Sequence, residues 1–332
     1  MNTEVDAILR IEELVVHFGR REERIAVING INLNLKKGRV LGLVGESGCG
    51  KSVTSLAIMG LLSPDDSEVE GKIIFDGQEL TCLSQEKMGQ IRGNSIAMVF
   101  QEPMTSLNPV FTIGYQIGEV LSLHQGITGE ENRQHCIELL RSVNIPDSER
   151  IYQYYPHKLS GGMRQRVMIA MAMACRPKLI IADEPTTALD VTIQAQILDL
   201  FKELGEKQGT SMIFISHDLG VIAEIADDVA VMYAGHIMEE CTAVELYDNP
   251  LHPYTYGLMN ARRGSSDQGK TRLYSIPGIV PSPYDVVPGC PFAPRCTRAR
   301  EVCKCEIPAL REVKPGHKVR CWEVENHTAT FD

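Results

Sequence analysis

The 332-residue sequence predicts an α/β fold with an antiparallel β portion, an inserted helical stretch and an irregular C-terminal tail. Three observations predict it. A buried apolar strand, RVLGLVG, runs straight into a glycine-rich turn and a helix-like segment, KSVTSLAIMGLL. Apolar strands return later as LIIAD and SMIFIS, each followed by a helix-like segment, which is the alternation of an α/β sheet. Ahead of all of these, ILRIEELVVHF and INLNLKKG alternate apolar and polar positions, as half-buried antiparallel strands do.

The remaining elements follow in chain order. The charged GRREER reads as the hairpin between the first two strands. Between about residues 105 and 160 the texture turns polar and helical, with helix-period apolar positions in IGYQIGEVLSLH and ENRQHCIELLRSV. After about residue 250, a polar RRGSSDQGK and prolines at 277, 281, 283, 288, 291 and 294 mark the tail as mostly irregular. The expected division is therefore a domain over 1–250, with a helical subdomain at about 102–165, and an extension over 251–332.

Composition narrows the function. Hydrophobic residues make up 43% and charged residues 23%, ordinary values for a globular chain. The net charge of −10 and the lack of a long basic run argue against a nucleic-acid partner, because phosphate backbones need a surplus of Lys and Arg. The acidic start, MNTEVDAILRIEELVV, lacks the features of a secretory signal. The apolar stretch Val167–Cys175 stops at Arg176, short of the ~18 residues that suggest a membrane span. A cytoplasmic location is expected, where thiols stay reduced. The ten cysteines are therefore not a disulfide framework, and five of them crowd into the tail: Cys290, Cys296, Cys303, Cys305 and Cys321.

The chemistry-bearing motifs centre on phosphate. GESGCGKS, Gly45 to Ser52, fits G-x-x-x-x-G-K-[ST] with a strand before it and a helix after it. Gly45, Glu46, Ser47, Gly48, Cys49 and Gly50 form the cradle, Lys51 reaches the terminal phosphates, and Ser52 can ligate magnesium. A plain glycine turn would leave the lysine unexplained. KLIIADEP ends a buried strand with Asp183, a magnesium ligand, and Glu184, a general base for the attacking water. SMIFISHD delivers His217 at the end of another strand, placed for a γ-phosphate or the water. Gln101 in MVFQEP can reach the metal or the water, and Phe18 can stack on an adenine, although core packing explains Phe18 equally well. A second anion-binding helix start appears in LSGGMRQRV, where Ser160, Gly161, Gly162 and Gln165 could reach a nucleotide held by another subunit; a routine serine cap is the rival account.

GESGCGKS, VFQEP, LSGGMRQRV, LIIADE, ALD and ISHD, in this order over about residues 8 to 245, resemble the ABC-type ATPases. The resemblance implies a RecA-like nucleotide-binding domain that uses ATP and Mg2+, with Glu184 needed for hydrolysis and His217 as the switch histidine. It also implies a head-to-tail dimer, in which Ser160, Gly161, Gly162 and Gln165 close on the partner's ATP and Asp190 lies at the seam. GMRQRVMIAMAMACRPKLIIADEPTTALDVTIQAQILDL, HPYTYGL, IPGIVPSP and the cysteine tail narrow the resemblance to D-type ATP-binding subunits of dipeptide and oligopeptide importers. Such subunits imply a second, identical or F-type, ATPase subunit, two membrane permeases, an extracytoplasmic solute-binding protein, and a peripheral place on the cytoplasmic face of the membrane. PMTSLNPVFTIGYQIG would then dock the permease. Related importers carry nickel, opines or oligosaccharides, which stand as alternative solutes, and a soluble ABC ATPase of DNA repair or translation is the rival from another class. An iron-sulfur electron carrier that also binds nucleotide is a further rival, supported by the tail alone.

The tail cysteines Cys290, Cys296, Cys303 and Cys321 supply four thiolates, at spacings that match neither the common zinc pairs nor the ferredoxin run. Their chemistry points to a metal without naming it. The resemblance implies a structural 4Fe-4S cluster, with zinc as the alternative; Cys305 departs from the family pattern, lies close enough to Cys303 to compete as a ligand, and is assigned as the spare thiol.

Overall fold

A computed structural model describes residues 6–19, 24–187, 189–263, 275–285 and 287–324. In chain order its strands are β1 (Ala7–Phe18), β2 (Ile25–Lys36), β3 (Val40–Val44), β4 (Ser67–Phe75), β5 (Gln78–Glu79), β6 (Ile96–Val99), β7 (Leu179–Asp183), β8 (Ser211–Ser216), β9 (Asp228–Tyr233), β10 (His236–Thr242), β11 (Arg311–Lys314) and β12 (His317–Val319). Residues 20–23 of the expected GRREER hairpin lie outside the described residues. The chain divides into two compact units, one of Met1–Ile8, Leu35–Val40 and Asp76–Ile215, the other of Leu9–Asn34, Leu41–Phe75 and Ser216–Asp332.

The first unit holds parallel strands and most of the helices. β6 pairs with β7, Ile96 opposite Leu179, and β7 pairs with β8, Leu179 opposite Ser211. Every residue of β7 and β8 is buried, as expected of parallel strands covered on both faces. Thr112 and Gly126 cap the helix Ile113–Gln125, the threonine side chain accepting from Tyr115 N. It packs on the helix Gly129–Ser142 so closely that a Cβ on Gly118 would meet Asn132 Oδ1 at 2.4 Å. Asn132 in turn donates to Gly118 O at 2.8 Å and Ile127 O at 2.9 Å, which satisfies a buried amide.

The second unit joins the expected antiparallel sheet to the glycine-rich turn. β1 pairs antiparallel with β4 from Leu9 opposite Phe75 to Phe18 opposite Ser67. β3 runs parallel to β9, Leu41 opposite Asp228, and β9 turns back on β10. The C-terminal stretch is more ordered than its prolines suggest. It contributes a helix, Pro253–Arg263, and the strands β11 and β12, the latter pairing with β10. These strands escape pattern reading because they are three and four residues long, and all four residues of β11 are exposed.

A buried carboxylate ties this stretch to the sheet. Glu239 on β10 is fully buried, and its oxygens accept from Leu251 N at 2.7 Å, His252 N at 3.0 Å and the His317 ring at 2.7 Å. Cys241 lies beside the Glu239–His317 pair. The hydrogen bonds account for this grouping, since the Glu239 carboxylate already has three partners. His252 accepts from Tyr254 N through Nδ1 at 3.0 Å, which requires that nitrogen to be unprotonated, and burial lowers the His252 pKa to about 4.

Candidate nucleotide site

The phosphate loop connects β3 to the helix Lys51–Ile58, whose N-cap is Gly50 at φ 110. Two of its glycines are required by crowding, and Gly50 by its conformation as well. A Cβ on Gly45 would lie 2.1 Å from Met232 O, and one on Gly50 would lie 2.5 Å from Ile28 Cδ1. Lys51, buried at 5% exposure, spans the loop and donates to Gly45 O at 2.8 Å and Glu46 O at 3.0 Å. Cys49 is buried within the turn, and burial raises its thiol pKa against the pull of Lys51. Ser47, Gly48 and Ser52 are exposed, so the loop presents backbone and a hydroxyl to solvent. A cleft beside Gly48 is lined by Ile25, Val27, Ala234, Pro283 and Tyr284, among others. Phe18, half-buried at the end of β1, is not among its described lining residues.

The carboxylates belong to the other unit. Asp183, the last residue of β7, is buried at 6% exposure. Glu184 follows at φ 46, a left-handed conformation that costs a non-glycine residue of order 1–3 kcal/mol and recurs at functional sites. Its amide donates to Ile215 O at 3.0 Å, and Gln101 Nε2 and Thr187 Oγ1 donate to its Oε2 at 3.2 and 2.9 Å. Gln101, expected from the sequence to reach the metal or the water, contacts Glu184 here. Thr187 was not anticipated; its position three residues after Glu184, in a turn, was the available signal. His217 is exposed in the turn after β8, ahead of the helix Leu219–Ile225 that Asp218 caps.

The second glycine-rich start is a helix N-terminus as expected. Ser160 caps the helix Gly161–Met173, its Oγ accepting from Met163 N at 3.3 Å. Ser160 and Gly161 are exposed and Gly162 is half-buried. Gln165 is 1% exposed, so within this chain its amide faces the interior, not a docking surface. Asp190 is exposed and caps the helix Val191–Gln208, accepting from Ile193 N at 2.9 Å.

Comparisons with known proteins supply the family. Residues 28–187 match the ABC transporter model, and residues 238–303 match the model described as the oligopeptide/dipeptide transporter C-terminal region. The chain is 48% identical over 315 residues to the dipeptide transport ATP-binding protein DppD of Escherichia coli K12, covering 95% of this chain and 96% of that one. It is 48% identical to the oligopeptide transport ATP-binding protein AppD of Bacillus subtilis, covering 98% and 99%. The chain belongs to the ATP-binding subunits of ABC transporters. Among solved structures, a dimeric ATP-binding cassette in a post-hydrolysis state, bound to ADP and Pi, is similar at a TM-score of 0.64 and 30% identity, covering 71% of this chain and 98% of that one. The fold is thus that of an ABC ATPase, for which ATP with Mg2+ is the expected cofactor. No helix among the described residues is long and apolar enough to cross a membrane.

In this ABC subunit the tail cysteines converge. Cys290, Cys296, Cys303 and Cys321 line one small cavity together with His252, Phe292 and Trp322, whereas Cys305 is exposed and does not line it. Cys290 N donates to Cys303 O at 2.8 Å, and Gly289, at φ 76, lets the two backbones touch. Burial pushes the Cys290 thiol up to about 11 and the Cys321 thiol up to about 12, and it also raises Cys296. At neutral pH a bound metal would therefore have to displace protons, which is the ordinary coupling for thiolate sites. The four sulfurs are soft donors on one cavity, but no three of them lie within 4.8 Å of one another, so they are not drawn together as the thiolates of a zinc site are.

The sequence reading missed Arg295 and Tyr254, which lie directly on the phosphate loop. The side chain of Arg295 is 4% exposed and forms an ion pair with Glu46 at 2.6 Å, and Tyr254 Oη accepts from Glu46 N at 2.9 Å. Only RC in APRCT and the aromatic run HPYTYGL marked these positions, and neither pattern points to a loop more than two hundred residues away.

Proposed function

We propose that this chain binds Mg-ATP on Gly45–Ser52 and hydrolyses it to power import of di- or oligopeptides. One observation carries the reading: a phosphate loop and an oligopeptide/dipeptide transporter C-terminal region occupy one chain, which matches relatives named for dipeptide and oligopeptide transport over 95–98% of its length. In this reading the backbone amides of the loop and Lys51 hold the phosphates, and Ser52 and Asp183 offer magnesium the hard oxygen ligands it prefers. Glu184 accepts a proton from the attacking water. Gln101, which donates to Glu184 Oε2, orients that carboxylate. His217 contacts the γ-phosphate, and Phe18 stacks on the base.

The domain division is a cassette over 1–250, with its helical subdomain at about 102–165, followed by the extension. Two cassettes close head to tail, the partner an identical or F-type subunit, with Ser160, Gly161, Gly162 and Gln165 facing the partner's ATP and Asp190 at the seam. The buried setting of Gln165 implies that its amide acts by holding the helix start unless the helix shifts on closure. The exposed apolar residues Met104, Val110, Phe111, Tyr115 and Leu123 suit a permease surface at the cytoplasmic face of the membrane. An extracytoplasmic binding protein would supply the solute. Cys290, Cys296, Cys303 and Cys321 hold a 4Fe-4S cluster, with zinc the competing occupant, that ties the tail together.

The test is reconstitution of the subunit with its permeases and binding protein in vesicles. Uptake of labelled di- and tripeptides that requires ATP, and ATPase activity stimulated by the loaded binding protein, are the expected results. Uptake of a nickel complex, an opine or an oligosaccharide in place of any peptide would overturn the solute assignment.

A further inference from the structure

The C-terminal extension grips the phosphate loop at Glu46. Arg295 Nη1 donates to Glu46 Oε2 at 2.6 Å and Nη2 to Glu46 Oε1 at 3.1 Å, a two-pronged contact that fixes direction as well as distance. The guanidinium is itself held by groups other than Glu46. Nε donates to Pro277 O at 2.8 Å, Nη2 to Ile276 O at 3.3 Å and Nη1 to Tyr233 Oη at 3.3 Å, and the group lies 5.7 Å from the centre of the Tyr233 ring. An arginine anchored at four other points is a fixed post, and the flexible partner is the loop.

Tyr254 acts on the same residue through the main chain. Its hydroxyl accepts from Glu46 N, and the fully buried ring is wedged against Tyr233 and Phe292, with centroids 4.7 and 5.3 Å away. Lys51 Nζ donates to Glu46 O at 3.0 Å. Glu46 is therefore held at its amide, its carbonyl and its carboxylate, and two of the three holds come from residues beyond 250.

We propose that Arg295 and Tyr254 are positioning residues of the nucleotide site, which hold the phosphate loop in its binding shape through Glu46 so that the extension sets affinity for ATP. The proposal rests on the reading of Gly45–Ser52 as the ATP loop. The physical reason is preorganisation: a loop that must be ordered on binding loses conformational entropy at that moment, and a loop already held does not. Neither residue supplies a group to the Gln101–Glu184 pair, so the chemical step should be spared.

The experiment measures KM and kcat for ATP hydrolysis in the full-length chain assembled with its partner subunits, and Kd for ATP with EDTA present. Arg295→Lys keeps the charge but loses the fork, and it should raise KM and Kd about tenfold with kcat within about twofold. Tyr254→Phe keeps the ring and removes one oxygen, and should raise Kd about fivefold. In a Glu46→Gln background, Arg295→Lys should add less than about twofold, because the ion pair is already gone. Wild-type Kd in both single variants would overturn the proposal. So would an Arg295→Lys effect undiminished by Glu46→Gln, since that would mean a general effect on tail folding. If Arg295→Lys does not fold, Tyr254→Phe alone decides. A wild-type chain that fails to bind ATP would instead sink the nucleotide reading, a separate and visible result.

Discussion

Gly289→Ala should open the cysteine cavity, and its cost can be worked from two glycines of equal conformation. Gly289 and Gly316 both sit at φ 76. Around Gly316 an added Cβ would meet nothing within 4 Å, so Gly316→Ala carries only the left-handed penalty, roughly 1–2 kcal/mol. At Gly289 the Cβ would lie 2.4 Å from Cys303 O, 2.7 Å from Cys305 N and 2.7 Å from Lys304 C. These are main-chain atoms, which cannot swing aside, so the strands of the tail must separate and the Cys290 N to Cys303 O bond must stretch. Over-packing of this kind adds about 1–3 kcal/mol, for a total of roughly 2–5 kcal/mol. Metal sites tolerate donor displacements of only about 0.2 Å, so the metal proposed for these thiols should be lost as well. The assay pairs hydrogen exchange of a peptide spanning 287–305 with metal analysis per chain. Gly289→Ala should exchange at least about fivefold faster than Gly316→Ala, as its extra cost of about 1–3 kcal/mol requires, and should retain less metal. Equal exchange and equal metal content in the two variants would refute the steric account of the cavity.

Glu184→Gln should preserve ATP binding while slowing turnover ~10²- to 10⁴-fold, because a positioned base is lost but the two donors on Oε2 still find an oxygen; turnover at the wild-type rate would remove Glu184 from the mechanism. His252 should stay neutral well below the usual histidine range. Its folded pKa of about 4 lies below the unfolded 6.5, so its contribution to stability is fully present above pH 6.5 and is lost as pH falls toward 4, up to ~3 kcal/mol; an NMR titration of its ring with a midpoint near 6.5 would contradict this. Stripping the proposed tail metal with a chelator should raise KM for ATP several-fold, because Cys296 follows Arg295 directly and Arg295 holds Glu46; stripped protein with unchanged KM would uncouple the two sites.

Most of the nucleotide chemistry was legible in the sequence because its motifs are local. A strand, a glycine turn and a lysine within eight residues specify a phosphate loop whatever surrounds them, and the β7 end at Asp183 and the β8 end before His217 were legible as apolar runs closed by polar residues. The five tail cysteines could be counted, and Cys305 set aside as the spare because it departs from the family pattern; in the structure the other four line the cavity and Cys305 does not. Less legible was the order of the tail. β11 and β12 carry no pattern; β12 forms on the edge that β10 offers, and β11 pairs in turn with β12. Gln165 was expected to reach a nucleotide on another subunit, yet its place on the helix buries it within this chain.

The sequence by itself determined the phosphate loop, the carboxylate pair, the capped helix starts and the thiol inventory, because each is written in a few adjacent residues whose backbone preferences act over one turn. Tertiary structure alone decided which distant groups meet. It set Arg295 against Glu46, 249 residues away, and closed the Glu239 carboxylate with amides and a ring from residues 251, 252 and 317. It also curled the tail at Gly289 so that four thiols share a cavity. A buried charge demands a partner, but its own neighbourhood in the chain does not say where the fold will bring one.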